Sequence, residues 1–182
     1  MYGNLLASRG RVLYPPPMTT RPVQDFYPDD LAQCYGCGRL NEHGLHIQST
    51  WDGTQTVCRF RPRPEHTAVP GYVYGGLIAS LIDCHGTGSA ALATYKAENR
   101  EPGSDPPLRF LTASLSVDYL APTPLDVELE LRGTIREVKG RKVIVDIGLQ
   151  AGGEVTARGQ VIAVQAPEAF LRRLRQEMAP PE

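Results

Sequence analysis

One carboxylate stands in the middle of an otherwise uncharged stretch and is the residue best suited to do chemistry. The stretch runs from Tyr74 to Tyr95, YGGLIASLIDCHGTGSAALATY, and Asp83 is the only aspartate, glutamate, lysine or arginine in it. Its apolar residues recur at the spacing of a helical face, and a helix that is apolar all round is normally buried. A buried carboxylate must be paired, hydrogen-bonded or shifted in pKa. Asp83 is therefore either a catalytic group or a structural residue held by backbone amides or one arginine.

The start of this predicted helix offers a second group that can act on a substrate. Pro70-Gly71 marks a turn, and Gly75-Gly76 then occupies the first helical turn, where backbone N–H groups have no partner inside the helix. These amides and the positive end of the helix dipole stabilise an oxygen that is gaining negative charge. The alternative is that the two glycines simply allow close packing against a sheet.

The spacing of these two groups predicts a shared site. Gly75 and Asp83 are eight positions apart, which separates them by about 12 Å along a helix axis. Reacting atoms must approach to about 3 to 3.5 Å. One helix cannot bring both groups to one carbonyl, but two antiparallel copies can. The spacing favours a homodimer in which each site takes Gly75 from one subunit and Asp83 from the other.

Composition excludes several classes of protein. The chain has 182 residues, with 19 basic and 20 acidic residues and a net charge of −1, which argues against a general nucleic-acid binder. It has no apolar run long enough for a membrane span and no pattern of a secretion signal. The expectation is a cytoplasmic protein with no nucleic-acid or membrane partner.

The cysteines suggest a metal site only weakly. Cys34 and Cys37 form CYGCG, but no second CxxC follows, and His43 and His46 lie too close to it in sequence for a standard zinc finger. Four scattered cysteines are also too few for a disulfide scaffold. The sequence predicts a turn carrying two thiols, with no metal and no cofactor.

The order of predicted elements indicates an α+β fold. A long helix between two groups of strands, with no strand-helix alternation, describes one curved antiparallel sheet that covers one helix. We predict an N-terminal extension over 1–33, one domain over 34–166 and a short C-terminal helix with a tail over 167–182. The predicted strands are 44–51, 55–60, 109–120, 125–139, 142–150 and 154–165.

Common nucleotide and hydrolase motifs are missing or misplaced. Gly86-x-Gly88-x-x-Ala91 matches a dinucleotide fingerprint in letters, but it falls inside the predicted helix rather than between a strand and a helix start. The sequence contains no GxSxG elbow, Walker loop or HExxH.

Two motifs carry a family resemblance. PGYVYGGLIASLID and LTASLSVDYLAP resemble segments of the hotdog-fold acyl-CoA thioesterases of the PaaI-like type, and CYGCGRLNEHGLHI is similar to the N-terminal segment of many members. The likeness covers about residues 34–165 and implies a hotdog fold, in which a curved sheet wraps one long helix. This chain departs from the family at Tyr74, where the family usually has histidine.

The resemblance also implies roles for individual residues. Gly75 would supply the amide that polarises the thioester carbonyl, and Asp83 of the facing subunit would activate a water molecule or attack directly. Thr112 would position that water or the carboxylate.

Three further residues would contact the substrate by the same resemblance. His66 lies just before the helix and is either a surface loop residue or a substrate contact, while Tyr74 and Gly76 would line the pocket. We expect Tyr74 to change the shape of the pocket more than the chemistry.

The sequence thus predicts hydrolysis of an acyl-CoA thioester to the free acid and coenzyme A, by a homodimer or a dimer of dimers. One alternative is a non-catalytic acyl-CoA-binding module. Another is a hydratase or dehydratase, which needs a histidine paired with a carboxylate. His85 is two residues from Asp83, so the two side chains leave the helix about 200° apart. The sequence does not indicate the acyl group.

Overall fold

The described part of the chain is a six-stranded antiparallel sheet folded around one long helix. The computed structural model describes residues 21–178, so the predictions for residues 1–20 and 179–182 lie outside it. The sheet order is β1-β2-β4-β5-β6-β3. The strands are β1 Thr50–Trp51, β2 Thr56–Phe60, β3 Phe110–Tyr119, β4 Leu129–Lys139, β5 Lys142–Ala151 and β6 Glu154–Gln165, and the helices are α1 Gly75–Ala97 and α2 Glu168–Met178.

The core lies between α1 and the concave face of the sheet. Leu81 and Ile82 of α1 are fully buried, and every second residue of β5 is buried, as expected for a strand with one face on a core. A side chain at Gly86 would lie 2.5 Å from Val161 of β6, so this glycine allows the helix to approach the sheet closely. The predicted α+β hotdog architecture is confirmed.

The segment predicted as the first strand is mostly irregular. Only Thr50–Trp51 of residues 44–51 joins the sheet. His46 has a positive φ of 53°, which breaks an extended strand. Leu45 and Ile47 donate their backbone N–H groups to Tyr35 and Gly36 instead. The prediction of a full strand was wrong because these backbone groups pair with a neighbouring loop.

The strands after α1 do not form one continuous meander. β4, β5 and β6 pair in chain order, but β3 pairs with β6 and lies at the end of the sheet. One edge of this ten-residue strand is therefore unpaired within residues 21–178.

Part of the segment assigned to the N-terminal extension contributes to the core. Val23, Gln24 and Tyr27 are buried, and the N–H of Val23 donates to the carbonyl of Ser49 at 3.0 Å. At the other end, Leu171 of α2 is buried. Within the described residues, neither helix combines the length and the apolar character that a membrane crossing needs.

Candidate functional site

The first turn of α1 presents unpaired backbone amides. Tyr74 precedes the helix in an extended conformation, and its carbonyl accepts the N–H groups of Leu77 and Ile78 at 3.0 and 3.3 Å. The N–H groups of Gly75 and Gly76 donate to no acceptor among residues 21–178, and both glycines are half-buried. The helix therefore begins with two free donors at the positive end of its dipole.

Two tyrosines frame this turn. The hydroxyl of Tyr119 donates to the carbonyl of Gly75 at 2.9 Å. The ring of Tyr74 lies over Gly76, where an added side chain would meet it at 2.4 Å. This contact is with an exposed ring and not with the sheet, so it is not the packing against a sheet that the sequence offered as an alternative. At Gly75 an added side chain would lie 3.5 Å from Tyr119, which is an ordinary contact, so packing alone does not require glycine there.

Asp83 lies midway along α1, against strand β3. The hydroxyl of Thr112 donates to its Oδ1 at 2.5 Å. Asp83 is half-buried, not fully buried as the sequence suggested. It belongs to a half-buried strip beside β3, the last strand of the sheet. Apart from this strip and Gly75, the helix is buried up to Tyr95. The strip consists of Gly76, Ala79, Ser80 and Asp83.

A β-bulge brings both contacts of β3 onto the same side. Thr112 and Tyr119 are seven positions apart, so in a regular strand their side chains would point to opposite faces. The register of β3 on β6 shifts between Thr112 and Ser114. The extra residue reverses the alternation, which lets Thr112 reach Asp83 while Tyr119 reaches Gly75.

The structure does not bring Gly75 and Asp83 together. Both lie on the unbroken helix α1, where eight residues separate them by about 12 Å along the axis. Within one protomer the free amides and the carboxylate cannot act on the same atom.

The three predicted substrate-contacting residues line one pocket. His66, Tyr74 and Gly76 meet in a cavity of about 290 Å³ beside the half-buried strip, which Ser80 also reaches. The carbonyl of His66 accepts the N–H of Tyr74 at 2.8 Å, so the loop before α1 is tied to the helix start. Burial lowers the pKa of His66, and the neighbouring Arg63 lowers it further. The remaining lining residues are Tyr35, Leu45, Arg63, Glu65 and Leu77.

A larger groove lies on the other face of the sheet. It has a volume of about 680 Å³ and is lined by polar and charged side chains such as Asp118, Arg132 and Arg158. None of the predicted site residues lines this groove.

His85 takes part in a buried polar network and faces away from Asp83. Its Nδ1 lies 2.9 Å from the Ser49 hydroxyl, and its Nε2 lies 3.4 Å from the Thr56 hydroxyl. Burial lowers the pKa of His85 to about 4, so the ring is neutral near pH 7. This histidine anchors α1 to the loop before β1 and to β2.

Comparison with known proteins agrees with this fold. The model of the thioesterase superfamily matches residues 70–158. The crystal structure of a thioesterase superfamily protein from Shewanella loihica PV-4 is 53% identical, covers 69% of this chain and 96% of its own, and superimposes with a TM-score of 0.56. The chain belongs to the thioesterase superfamily, as its motifs predicted.

More distant relatives extend the comparison. The acyl-coenzyme A thioesterase THEM4 of Xenopus laevis is 30% identical over 95 residues, which are 52% of this chain and 37% of that protein. The chain spans less than half the length of the curated relatives it matches. The PaaI protein of the E. coli phenylacetic acid degradation operon shares the fold, with 14% identity, a TM-score of 0.54 and coverage of 68% of this chain and 81% of its own.

Proposed function

We propose that this protein hydrolyses acyl-CoA thioesters to a free acid and coenzyme A. The observation that carries the proposal is the hydrogen bond from Thr112 of β3 to Asp83 on the half-buried strip of α1. The first two amides of the same helix have no acceptor among the described residues. A thioester carbonyl needs a donor for its oxygen and an activated oxygen nucleophile at its carbon. Membership in the thioesterase superfamily points to the same reaction.

The proposed roles follow from the hydrogen bonds. The N–H of Gly75 donates to the thioester oxygen, which becomes negative as the tetrahedral intermediate forms. The Thr112 hydroxyl fixes one oxygen of Asp83, which leaves the other to accept a proton from water. The water oxygen bonds to the carbonyl carbon, the carbon–sulfur bond breaks, and the proton passes to the departing CoA thiolate. Direct attack by Asp83 through an anhydride would use the same contacts.

A homodimer completes the site in this proposal. Gly76, Ala79 and Ser80 have small side chains, so a second helix can approach the strip closely. Among residues 21–178, strand β3 has one unpaired edge and exposes Leu111 and Leu115. An exposed apolar edge strand is an expected pairing surface. A two-fold axis beside β3 and α1 would bring Gly75 of one subunit to Asp83 of the other.

Mixed dimers test the sharing of the site. Asp83→Asn and Gly75→Pro subunits, carrying different affinity tags, are coexpressed and the heterodimer is isolated through both tags. Each variant homodimer should be inactive, whereas the heterodimer has one intact site and about half of the wild-type turnover, since both lesions fall in the other site. A heterodimer as inactive as its parents would show that each site lies within one subunit.

A hydrolysis screen tests the reaction itself. Release of the CoA thiol is measured for short-chain, long-chain and aromatic acyl-CoA esters, with Asp83→Asn run in parallel. We expect turnover of at least one class by the wild-type protein alone. Tight binding without turnover of any class would instead favour the non-catalytic acyl-CoA-binding module.

The hydratase alternative lacks support from the geometry. It requires a histidine beside the carboxylate, and His85 is fully buried in contact with Ser49 and Thr56. We also infer a cytoplasmic location, because all four cysteines are free thiols, which suits a reducing compartment.

A further inference from the structure

Three cysteine sulfurs meet where the CxxC loop packs on α1. The Sγ atoms of Cys34, Cys37 and Cys84 all lie within 4.8 Å of one another, and those of Cys34 and Cys84 are 3.9 Å apart. Zinc binds thiolates at about 2.3 Å, so two sulfurs of a tetrahedral site lie about 3.8 Å apart. The three thiols therefore already stand close to the spacing of three tetrahedral ligands.

The loop is built to hold this arrangement. A side chain at Gly36 would lie 2.3 Å from Cys84 Sγ, so the loop backbone contacts the thiol of α1 directly. At Gly38 an added side chain would meet the backbone of Cys34 at 2.5 Å, and the N–H of Gly38 donates to the Cys34 carbonyl at 2.7 Å. Gly38 thus permits the tight turn that carries two sulfurs, and Gly36 lets this turn pack against the third.

An arginine without a carboxylate partner faces the same cluster. Both terminal nitrogens of Arg109 lie 4.0 Å from Cys37 Sγ, and its guanidinium stacks 4.6 Å above the ring of Tyr27. Arg109 is half-buried, yet within residues 21–178 it forms no ion pair with an acidic side chain. A half-buried guanidinium needs a compensating negative charge nearby.

From this geometry we propose that Cys34, Cys37 and Cys84 bind one zinc ion, with Arg109 as the neighbouring counter-charge. Three thiolates and one Zn²⁺ carry a net charge of −1, which the guanidinium cancels. No other His, Cys, Asp or Glu of the described residues joins the cluster, so water takes the fourth position. Cys34 is only half-buried, which leaves the cluster open to solvent on its side.

The sequence alone pointed away from a metal because it offered only one CxxC pair. The third ligand comes from the middle of α1, next to Asp83. A zinc ion would fasten the loop around Cys34 to the helix at this position. Binding releases the thiol protons and stabilises the folded chain over the unfolded one. The inference does not depend on the proposed hydrolysis.

Metal titration of the full, reduced chain tests the proposal without an activity assay. Co²⁺ added under anaerobic conditions should give the thiolate charge-transfer band and the intense visible bands of tetrahedral cobalt, and Zn²⁺ should abolish both. Elemental analysis after gel filtration should then find one zinc per protomer. Zinc should also raise the thermal midpoint of the wild-type protein.

Cysteine variants distinguish metal binding by the cluster from metal binding by other thiols. Cys84→Ser and Cys34→Ser should lose the cobalt bands, whereas Cys58→Ser, which removes a buried thiol on β2 outside the cluster, should keep them. Arg109→Gln should keep the spectrum but bind zinc about 10 to 100 times more weakly, as for other groups surrounding metal ligands. Circular dichroism checks the fold of each variant.

Three results would overturn the inference. One is a reduced wild-type chain that gives no cobalt spectrum and retains no zinc. Another is undiminished metal binding by a folded Cys84→Ser variant, which would show that Cys84 is not a ligand and that only Cys34 and Cys37 bind the metal. The third is rapid closure of a Cys34–Cys84 disulfide in air that added zinc does not slow, since that would identify a redox pair instead.

Discussion

Replacing Asp83 by asparagine is expected to lower kcat for acyl-CoA hydrolysis by about 10²- to 10⁴-fold, the range typical of a positioned acid or base. Asparagine has the same size, and its amide oxygen can still accept the Thr112 hydroxyl, so the contact between α1 and β3 survives. What is lost is the ability to accept a proton or to attack as a carboxylate. Because that ability acts in the transition state, KM should change far less than kcat.

The matched control for this change is Asp118→Asn. Asp118 lies on β3, the strand that carries Thr112, but it is exposed and lines the groove on the opposite face of the sheet. Steady-state kinetics, thermal melting and gel filtration are compared for both variants. Asp118→Asn should match the wild-type protein in all three. If Asp83→Asn also retained wild-type turnover, Asp83 would have no part in the proposed mechanism.

The sequence predicted what short-range patterns determine. The helix was expected over 74–95 and runs from Gly75 to Ala97, because a long apolar run that begins at Gly75-Gly76 specifies it locally. The strands from 142 to 165 were located closely for a similar reason, since glycine-containing turns mark where each strand begins. The fold class followed from these elements, and the family from the resemblance of the two motifs.

Features that depend on contacts between distant segments were not predictable. Residues 44–49 have a strand-like composition, but their backbone groups pair with the loop around Gly36. The position of β3 beside β6 requires a crossover that no local pattern encodes. Likewise, Cys84 joins Cys34 and Cys37 only because the loop packs on α1.

In the candidate site, too, the residue types could be predicted from the sequence and the contacts between distant segments could not. Asp83 and the glycine pair stood out by residue type, but their environment did not. The bulge after Thr112 is what turns both Thr112 and Tyr119 toward α1. The half-buried strip around Asp83 lies beside β3, the end strand of the sheet, and the proposal of a second subunit rests on it.

Replacing Gly75 by proline is expected to remove the proposed oxyanion donor while leaving the helix intact. Gly75 is the first residue of α1, a position where proline is favoured because its fixed φ suits a helix start. Tyr74 already has the extended conformation that precedes proline, with φ −62° and ψ 128°. The N–H of Gly75 has no acceptor within the described chain. The substitution therefore deletes a group that the protomer itself does not use.

Loss of one such donor should lower kcat by about 10²- to 10³-fold, or roughly 3 to 4 kcal/mol of barrier. Gly75→Ala is the matched control, because it keeps the N–H and places a methyl group 3.5 Å from the Tyr119 ring, an ordinary contact. Alanine should therefore stay within a few-fold of wild-type turnover while proline does not. Equal loss in both variants would mean that shape, rather than the amide, matters at this position. Full activity in the proline variant would show that another group donates to the thioester oxygen, and the neighbouring amide of Gly76 would be tested first.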